Sequence, residues 1–303
     1  MSKAKHSSFC MLDPAHLLDG LFTPKARSGE ALFDVKGLHK KKPIEFSGLQ
    51  MSATHQSILL AIIARIARQP KEKHLTESEE DSNIKTELFS LLAPSGEASR
   101  FSFSVLECSP YALLSDAGMG KGGKDYQLLI KLLSEMSDVS MHRGEGPKSS
   151  SSKLIAFKEV DNKKLAIGIN WRLTDSVSGK QNVNISLAER RSLGNDPIAK
   201  ILHTWLCRTI RKNGELMAGR GAEIDTLMRH IWGNRPCSAD VIKKRRQATK
   251  RAVNEINNLP GWEATIEDTH VFVSRPASTF NHKVSVCSVK QDYRRTMADK
   301  ISR

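Results

Sequence analysis

The sequence contains no apolar run long enough to cross a membrane. Its longest run, ILLAIIARIA at residues 58–67, falls short of the roughly 20 residues that a spanning helix needs, and it includes Arg65. The N-terminal stretch MSKAKHSSFCMLDPAH lacks the apolar segment of a secretory signal peptide. We therefore expect no membrane association and a location in the cytoplasm.

Cysteine is scarce and scattered. The five cysteines are odd in number and form no CxxC pair: Cys10, Cys108, Cys207, Cys237 and Cys287. This pattern is typical of free thiols in a reducing compartment. His203 and Cys207 lie four residues apart on one predicted helix and could bind a metal, but no second pair supplies the remaining ligands. Core packing is the simpler interpretation, and we expect no metal site.

Motifs that would indicate an enzyme are also missing. The stretch GMGKGGKD, residues 118–125, approaches the phosphate loop GxxxxGK[ST], but Asp125 stands where the metal-binding hydroxyl is required. The residues before it, YALLSD, have the pattern of a helix rather than of that loop's apolar strand. Asp13 and His16 lie in a segment without the elbow motif of a serine hydrolase. We therefore predict no catalytic activity and no cofactor.

Positive charge is what the chain has in excess. Its 303 residues include 47 Lys and Arg against 33 Asp and Glu, a net charge of +14. Residues 181–303 hold 22 basic against 12 acidic residues, whereas residues 1–180 hold 25 against 21. A surplus of this size is typical of proteins that bind nucleic acid or an anionic membrane surface. Most of it lies in the last two-fifths of the chain.

The densest basic cluster lies in SADVIKKRRQATKRAVNEINNL, residues 238–259. At about 100° per residue, a helix here has an apolar side and a basic side. The apolar side consists of Val241, Ile242, Ala248, Ala252, Val253, Ile256 and Leu259. The opposite side consists of Lys243, Arg246, Gln247, Lys250, Arg251 and Asn254, with Lys244 near its border. Ser238 is expected to cap the helix and Pro260-Gly261 to end it. Arg245 alone projects from the apolar side, where it either reaches solvent or pairs with a buried acid.

The same order of elements occurs twice: a short helix, a turn, a longer helix and a β-hairpin. The first copy has a short helix from Ser109, a helix at about residues 121–137, and strands within DVSMHR or KLIAFKEV and within KLAIGINWRL. The second has a short helix at 223–233, the helix at 238–259 and the hairpin WEATIEDTHVFVSRP. This is the order of a winged helix-turn-helix, in which the second helix enters the major groove of DNA.

The sequence therefore predicts an α+β fold, mostly helical, with two tandem winged-helix domains. The predicted segments are an N-terminal arm at 1–42, a first domain at 43–175, a second domain at 181–276 and a polar basic tail at 277–303. The arm shows no regular pattern, so we expect it to be irregular.

The polar faces of the two second helices supply the candidate DNA contacts. On the later helix they are Ser238, Lys243, Lys244, Arg246, Gln247, Lys250 and Arg251; on the earlier helix they are Lys121, Lys124, Gln127 and Lys131. Recognition helices contact bases with their N-terminal part. Residues 238–244 should therefore lie deepest in the groove, and Lys250 and Arg251 should contact phosphates. A merely solvated basic face is the alternative, but the position of both helices in the motif favours DNA binding.

Five stretches, in the order in which they occur along the chain, resemble the iteron-binding replication initiators of IncQ-type plasmids, the RepC family. They are DPAHLLDGLF (13–22), KKPIEFSG (41–48), IDTLMRHIW (224–232), KKRRQATKRAV (243–253) and GWEATIEDTHVFVSRP (261–276). The resemblance covers most of residues 12–276. It implies two winged-helix domains, binding to directly repeated origin DNA, opening of the neighbouring duplex, and cooperation with a plasmid helicase and primase in the bacterial cytoplasm.

Two recognition helices in one chain would contact two successive turns of DNA, so we expect one monomer on each repeat. The alternative function is a two-domain winged-helix transcriptional repressor. Such a repressor would share the fold, because a fold does not fix function.

Overall fold

Helices and strands alternate along the chain. The structure is a computed structural model that describes residues 9–25, 29–32, 35–39, 41–68, 74–75, 83–146, 149–161, 164–177 and 183–277. The strands are β1 (Phe9–Leu12), β2 (Phe22–Thr23), β3 (Val35–His39), β4 (Lys42–Ser47), β5 (Met51–Ser52), β6 (His74–Leu75), β7 (Ser95–Gly96), β8 (Phe103–Cys108), β9 (Ser140–Arg143), β10 (Ser150–Lys153), β11 (Ile155–Asp161), β12 (Lys164–Ile169), β13 (Val183–Ser186), β14 (Ala222–Glu223), β15 (Glu263–Glu267) and β16 (His270–Ser274). The helices are α1 (Ala53–Ile66), α2 (Asn83–Leu92), α3 (Pro110–Ala117), α4 (Gly123–Ser137), α5 (Trp171–Val177), α6 (Leu187–Ser192), α7 (Pro197–Thr209), α8 (Ile224–Trp232) and α9 (Ala239–Asn257). The mixture of helix and strand predicted from the sequence is confirmed. All but the first residue of the predicted tail lies outside the described residues.

The first 42 residues contain regular structure that the sequence did not predict. β1 pairs antiparallel with β13, so that Cys10 lies opposite Ile185, and β3 pairs with β4. Asp13 follows β1 and accepts hydrogen bonds from the Arg172 guanidinium at 2.6 and 2.9 Å. The expectation of irregular structure is therefore wrong here. The reason is that the partners of β1 lie far along the chain, where local periodicity carries no information about them.

α1 forms the centre of a core that both halves of the chain share. Every residue from Ile58 to Ala64 is fully buried, and a helix that is apolar on all sides must be surrounded by protein. α1 packs against α3 and β8 from its own half and against α7 from the other half. Arg190 of α6 reaches the N-terminal turn of α1, where it donates to the carbonyl of Ala53 at 3.3 Å. The buried apolar residues, apart from Ala248, consequently form one cluster.

Two units of the chain repeat one topology. In the first unit, residues 103–169, β8 leads into α3 and α4, and the hairpin β11–β12 follows, with β12 between β11 and β8 in the sheet. In the second unit, residues 222–274, β14 leads into α8 and α9, and the hairpin β15–β16 follows, with β16 between β15 and β14. All of these pairings are antiparallel. Each unit is thus a helix pair closed by a hairpin.

The predicted elements of the first unit need three corrections. α4 begins at Gly123, which leaves Lys121 in the preceding turn. Both alternative strand stretches form strands, and β9 and β10 lie between α4 and β11 and join the sheet of β4 instead. The stretch KLAIGINWRL is not one strand, because Asn170 ends it. The Asn170 side chain accepts the Leu173 N–H at 2.9 Å, which starts α5.

The strands of the second unit's hairpin alternate as their sequence pattern predicts, with one exception, since Ile266 on the same face is only partly buried. Trp262, Ala264, Val271 and Val273 are all buried, as one face of a half-buried sheet requires. Among the helices within the described ranges, none combines the length and the apolar character needed to cross a membrane.

Candidate nucleic-acid interface

α9 presents most of its N-terminal half to solvent. Its buried side chains start only at Ala248 and are Ala248, Thr249, Ala252, Val253 and Ile256. From Ser238 to Gln247, only Ile242 and Arg245 are partly buried, and Val241 is 37% exposed. Ser238 occupies the N-cap position, as predicted, but its hydroxyl makes no capping hydrogen bond. The helix is therefore anchored by its C-terminal part, against α7, α8 and β15.

One predicted DNA contact, Arg246, is held by an ion pair within the protein. Its guanidinium binds both carboxylate oxygens of Asp225 in α8, at 2.7 and 2.5 Å. The hydrogen bond from Arg246 lowers the pKa of Asp225, and the same bond raises the pKa of Arg246. Both side chains are about half exposed. Arg246 thus lies on the expected surface, but its charge is largely compensated.

Arg245 follows neither of the two arrangements considered from the sequence. Its guanidinium lies over the ring of Trp232, 5.4 Å from the ring centroid, and its Nη1 lies 3.6 Å from the Sγ of Cys237. A cation over an aromatic face is attracted by the ring quadrupole. Arg245 is therefore a cation–π contact between α9 and the end of α8.

Four cations of α9 are exposed and unpaired. Lys243, Lys244, Lys250 and Arg251 are all exposed. Within the described residues, none of the four makes an ion pair or a side-chain hydrogen bond. Gln247 is exposed beside them. The surface predicted from the helical pattern is therefore present, and its contact with DNA stays a prediction.

α4 has a weaker basic face. Lys124, Gln127 and Lys131 are exposed along it, and Lys121 is exposed in the turn before it. Lys131 lies 3.8 Å from Glu135, whose carboxylate also lies 2.9 Å from Nε2 of His55. The charge of Lys131, one of these three lysines, is therefore partly compensated.

The apolar side of α4 does not bury all of its leucines. Leu129, Leu132, Leu133 and Met136 are buried, but Leu128 is 40% exposed. Leu128 therefore places an apolar side chain at the edge of the basic face.

The stretch GMGKGGKD makes the turn between α3 and α4. Gly118 ends α3 in the left-handed region with φ 71°, which glycine adopts without strain. Asp125 accepts the N–H of Gly122 at 3.0 Å and so caps α4. Because α3 precedes this turn, it lacks the strand that a phosphate loop requires. The interpretation as a turn between two helices is confirmed.

His203 and Cys207 have a third partner that the sequence did not reveal. Nε2 of His203 lies 2.9 Å from Oε2 of Glu189 and 3.6 Å from Sγ of Cys207, and all three side chains are buried. A closed zinc site needs four ligands, and the described residues bring three donors together here. Burial by itself lowers the pKa of His203, but Cys207 and the Glu189 carboxylate outweigh it and raise that pKa to about 9. The raised pKa favours the protonated imidazole, whose Nε2 can donate to the Glu189 carboxylate.

Comparison with known proteins identifies the family. A model of the family Replication protein C (RepC) matches residues 4–276. The chain belongs to this family. The match spans both units and ends two residues after β16, so it confirms the resemblance that five sequence stretches indicated. Replication protein C membership gives the chain a role in the initiation of replication.

Comparison with solved structures finds two partial similarities. The crystal structure of RctB domains 2 and 3 has a TM-score of 0.49 and 10% identity, and the match covers 85% of this chain and 95% of that chain. The selenomethionine derivative of the same two RctB domains has a TM-score of 0.45 and 10% identity, covering 86% and 98%. No curated protein matches the chain significantly.

The residues that hold Arg245 and Arg246 were not found from the sequence. Asp225 precedes Arg246 by 21 positions and lies on another helix. Trp232 also lies on α8. The sequence could have indicated these contacts only through an acidic or aromatic residue on the predicted partner helix. The angle at which α8 and α9 cross decides which of the possible contacts form.

Proposed function

We propose that this replication protein C family member initiates plasmid replication by binding directly repeated origin DNA, with α9 in the major groove. The proposal depends on four exposed cations of α9, which make no ion pair with a described residue, on a helix whose N-terminal half is mostly exposed. In a winged helix-turn-helix the second helix of the pair enters the groove. α9 has that position in the second unit, and the β15–β16 hairpin is then the wing.

Different parts of α9 have different roles in this proposal. Ser238, Lys243 and Lys244, near the start of the helix, approach base edges, where lysine pairs with guanine. Lys250 and Arg251 lie further along and neutralise phosphates, which releases condensed counterions. Arg246 contributes less than the sequence pattern indicates, since Asp225 already binds it.

The first unit binds the neighbouring turn of DNA through α4. Lys124, Gln127 and Lys131 face the groove, and Lys121 contacts the backbone from the turn before the helix. Two units in one chain suit a direct repeat, because a two-fold dimer would match a palindrome instead. One monomer then occupies each repeat.

Opening of the origin requires no catalysis by the chain. Several monomers on adjacent repeats bend the duplex, and the energy of deformation comes from binding. An AT-rich stretch separates at least cost, and a plasmid helicase and primase then enter. Such a protein acts in the bacterial cytoplasm.

A permanganate footprint on supercoiled plasmid tests the proposal. Thymines beside the repeats should become reactive as the full-length protein saturates them. The double variant Lys250→Ala/Arg251→Ala should lose this reactivity at the same concentration, while Arg211→Ala, which removes an exposed cation beyond the end of α7, should retain it. Specific binding without reactive thymines would indicate a repressor. Binding without any sequence preference would contradict the proposal.

A further inference from the structure

A cleft opens between the two halves of the chain. Its cavity of about 330 Å³ is lined by the first turns of α1 and α7 and by the turn between α3 and α4. An adjoining cavity of about 180 Å³ adds Arg190 and Arg191 of α6. The two cavities share Ser57, Gly118, Asn195 and Lys200 among their lining residues, so they form one continuous cleft. Its volume is in the range of small-ligand sites.

Cations without partners line this cleft. Arg191 is exposed and Lys200 is partly buried, and the side chain of neither makes an ion pair or hydrogen bond with a residue that the structure describes. Arg191 also covers Gly118, since a Cβ at that glycine would lie 3.2 Å from Cγ of Arg191. Both side chains are therefore positioned at the cleft while their charged ends are free for a ligand.

Arg190 adds a buried charge that pairs with no carboxylate of the residues that the structure describes. It is 3% exposed, and its guanidinium donates to neutral oxygens, among them Thr204 Oγ1 at 2.6 Å and Ser57 Oγ at 3.3 Å. Its Nε has no hydrogen-bond partner within the described part of the chain. Burial lowers the pKa of Arg190 to about 9, and burial together with Arg190 lowers the pKa of Lys200. A buried cation without a counter-charge is costly, and an anion in the cleft would offset that cost.

The acidic groups of the lining are already engaged. Asp116 accepts from Arg65 at 2.7 Å and from Arg68 at 2.8 Å. Asp125 accepts the Gly122 N–H. Asp125 keeps its negative charge, but Arg190, Arg191 and Lys200 outnumber it among the lining residues, so the net charge around the cavity is positive.

Three helices begin at the cleft. Ala53 and Pro197 are the first residues of α1 and α7, and Asp125 lies in the first turn of α4; all three residues line the cavity. The N-terminal end of a helix carries a partial positive charge that favours anions. Carboxylates already cap two of these ends, Asp196 on α7 and Asp125 on α4, so the positive field of the cleft comes mainly from its cationic side chains.

We propose that this cleft binds a phosphate group between the two halves, through Lys200 and Arg191, with Ser57 and Asn195 as neutral partners. The phosphate belongs either to the DNA backbone or to a small soluble ligand. In both cases it would join the α3–α4 turn of the first unit to α6 and α7, and so would fix the distance between the two DNA-binding units. The backbone source rests on the proposed function, whereas the soluble source does not.

The variants Arg191→Gln and Lys200→Gln test the site in the full-length chain, with Arg211→Gln as the matched control. Thermal unfolding is followed in inorganic phosphate and in potassium chloride of equal ionic strength. If the phosphate belongs to a soluble ligand, inorganic phosphate should raise the Tm of the unsubstituted chain and of Arg211→Gln. In the two cleft variants the affinity for phosphate should be about tenfold weaker.

The second measurement is the affinity for origin duplex. If the phosphate belongs to DNA, inorganic phosphate leaves the Tm unchanged. Both cleft variants then bind duplex about tenfold more weakly, with a salt slope reduced by roughly one unit. Cleft variants that behave like Arg211→Gln in both measurements would overturn the inference. A chain that binds no origin DNA but responds to phosphate would defeat the proposed function and leave the cleft site standing.

Discussion

The two helix–hairpin units share a topology and differ in their surfaces. α9 has 19 residues and carries four exposed, unpaired cations, whereas α4 has 15 residues and shares one of its lysines with Glu135. The buried positions of both helices follow the same periodicity, because both pack a stripe against the shared core. Topology therefore constrains the buried face of a helix pair and leaves the charge of the exposed face free to vary.

Each half also contains a histidine–glutamate pair: the His203–Glu189 pair is buried, whereas Glu135 in the His55–Glu135 pair is partly exposed. The Nε2–Oε2 distance is 2.9 Å in both, between His55 and Glu135 and between His203 and Glu189. Burial lowers the pKa of His55 despite Glu135, and Lys131 adds to that lowering. The pKa of His203 rises to about 9, since Cys207 lies beside it in addition to Glu189. Identical hydrogen-bond lengths thus give opposite pKa shifts, because neighbouring charges decide the balance.

The largest expected effect tests whether α4 and α9 contribute equally to the stability of the shared core. Leu129→Ala in α4 and Ile256→Ala in α9 each remove a fully buried side chain, and each should lower the free energy of unfolding by about 2–5 kcal/mol. Leu128→Ala, at a 40% exposed neighbour, should cost much less. Denaturant unfolding measures all three. Because the core is shared, each variant should unfold in one transition, and two separate transitions would break the comparison.

The second prediction concerns the pH dependence of His203. Its pKa in the folded chain, about 9, lies above its ordinary value of 6.5. The stabilisation that protonated His203 contributes is therefore fully present below pH 6.5, and it is lost as the pH rises through 9. The free energy of unfolding should fall by about 3 kcal/mol over that range, and His203→Gln should remove most of this fall.

His55 supplies the contrasting control. Its lowered pKa means that the unfolded chain binds the proton more readily, so its contribution is lost as the pH falls below 6.5. His55→Gln should therefore flatten the acid side of the profile and leave the alkaline side unchanged. An alkaline slope that persists in His203→Gln would show that the Glu189 cluster is not charged as described.

The third prediction compares the basic faces directly. Lys250→Ala/Arg251→Ala should weaken binding to all duplexes by about tenfold or more at physiological salt and lower the salt slope by roughly two units. Lys124→Ala/Lys131→Ala should do less, because Lys131 is already near Glu135. Anisotropy titrations of origin and unrelated duplex at several salt concentrations measure both. Equal losses in the two double variants would mean that the units contribute equally.

The smallest expected effect concerns the ion pair of Arg246 and compares this residue with the unpaired cations of α9. Asp225→Asn removes the partner of Arg246 and should change stability by less than about 1 kcal/mol, since exposed ion pairs contribute little. Arg246 then becomes a fifth unpaired cation, and the salt slope of DNA binding should rise by up to one unit. An unchanged or smaller slope would place Arg246 away from the DNA.

Much of the second unit follows from local sequence alone. The 3.6-residue period predicts α8 and α9, the alternation of Trp262, Ala264, Val271 and Val273 predicts the hairpin, and the polar stripe predicts which side of α9 is exposed. These predictions succeed because the residues that decide them lie within a few positions of one another. The same local logic also identified the α3–α4 turn from its glycines.

The tertiary structure decides which charged side chains are paired within the protein and which can bind a partner. Asp225 binds Arg246, Trp232 covers Arg245, and Glu189 joins His203 and Cys207, each across helices whose crossing no local period specifies. The strand pair β1–β13 and the cleft lined by Arg190 and Lys200 likewise depend on segments far apart in the chain. Sequence determines the amphipathic elements because periodicity is a short-range property. Charge pairing and cavities arise only when the burial of α1 brings distant surfaces together.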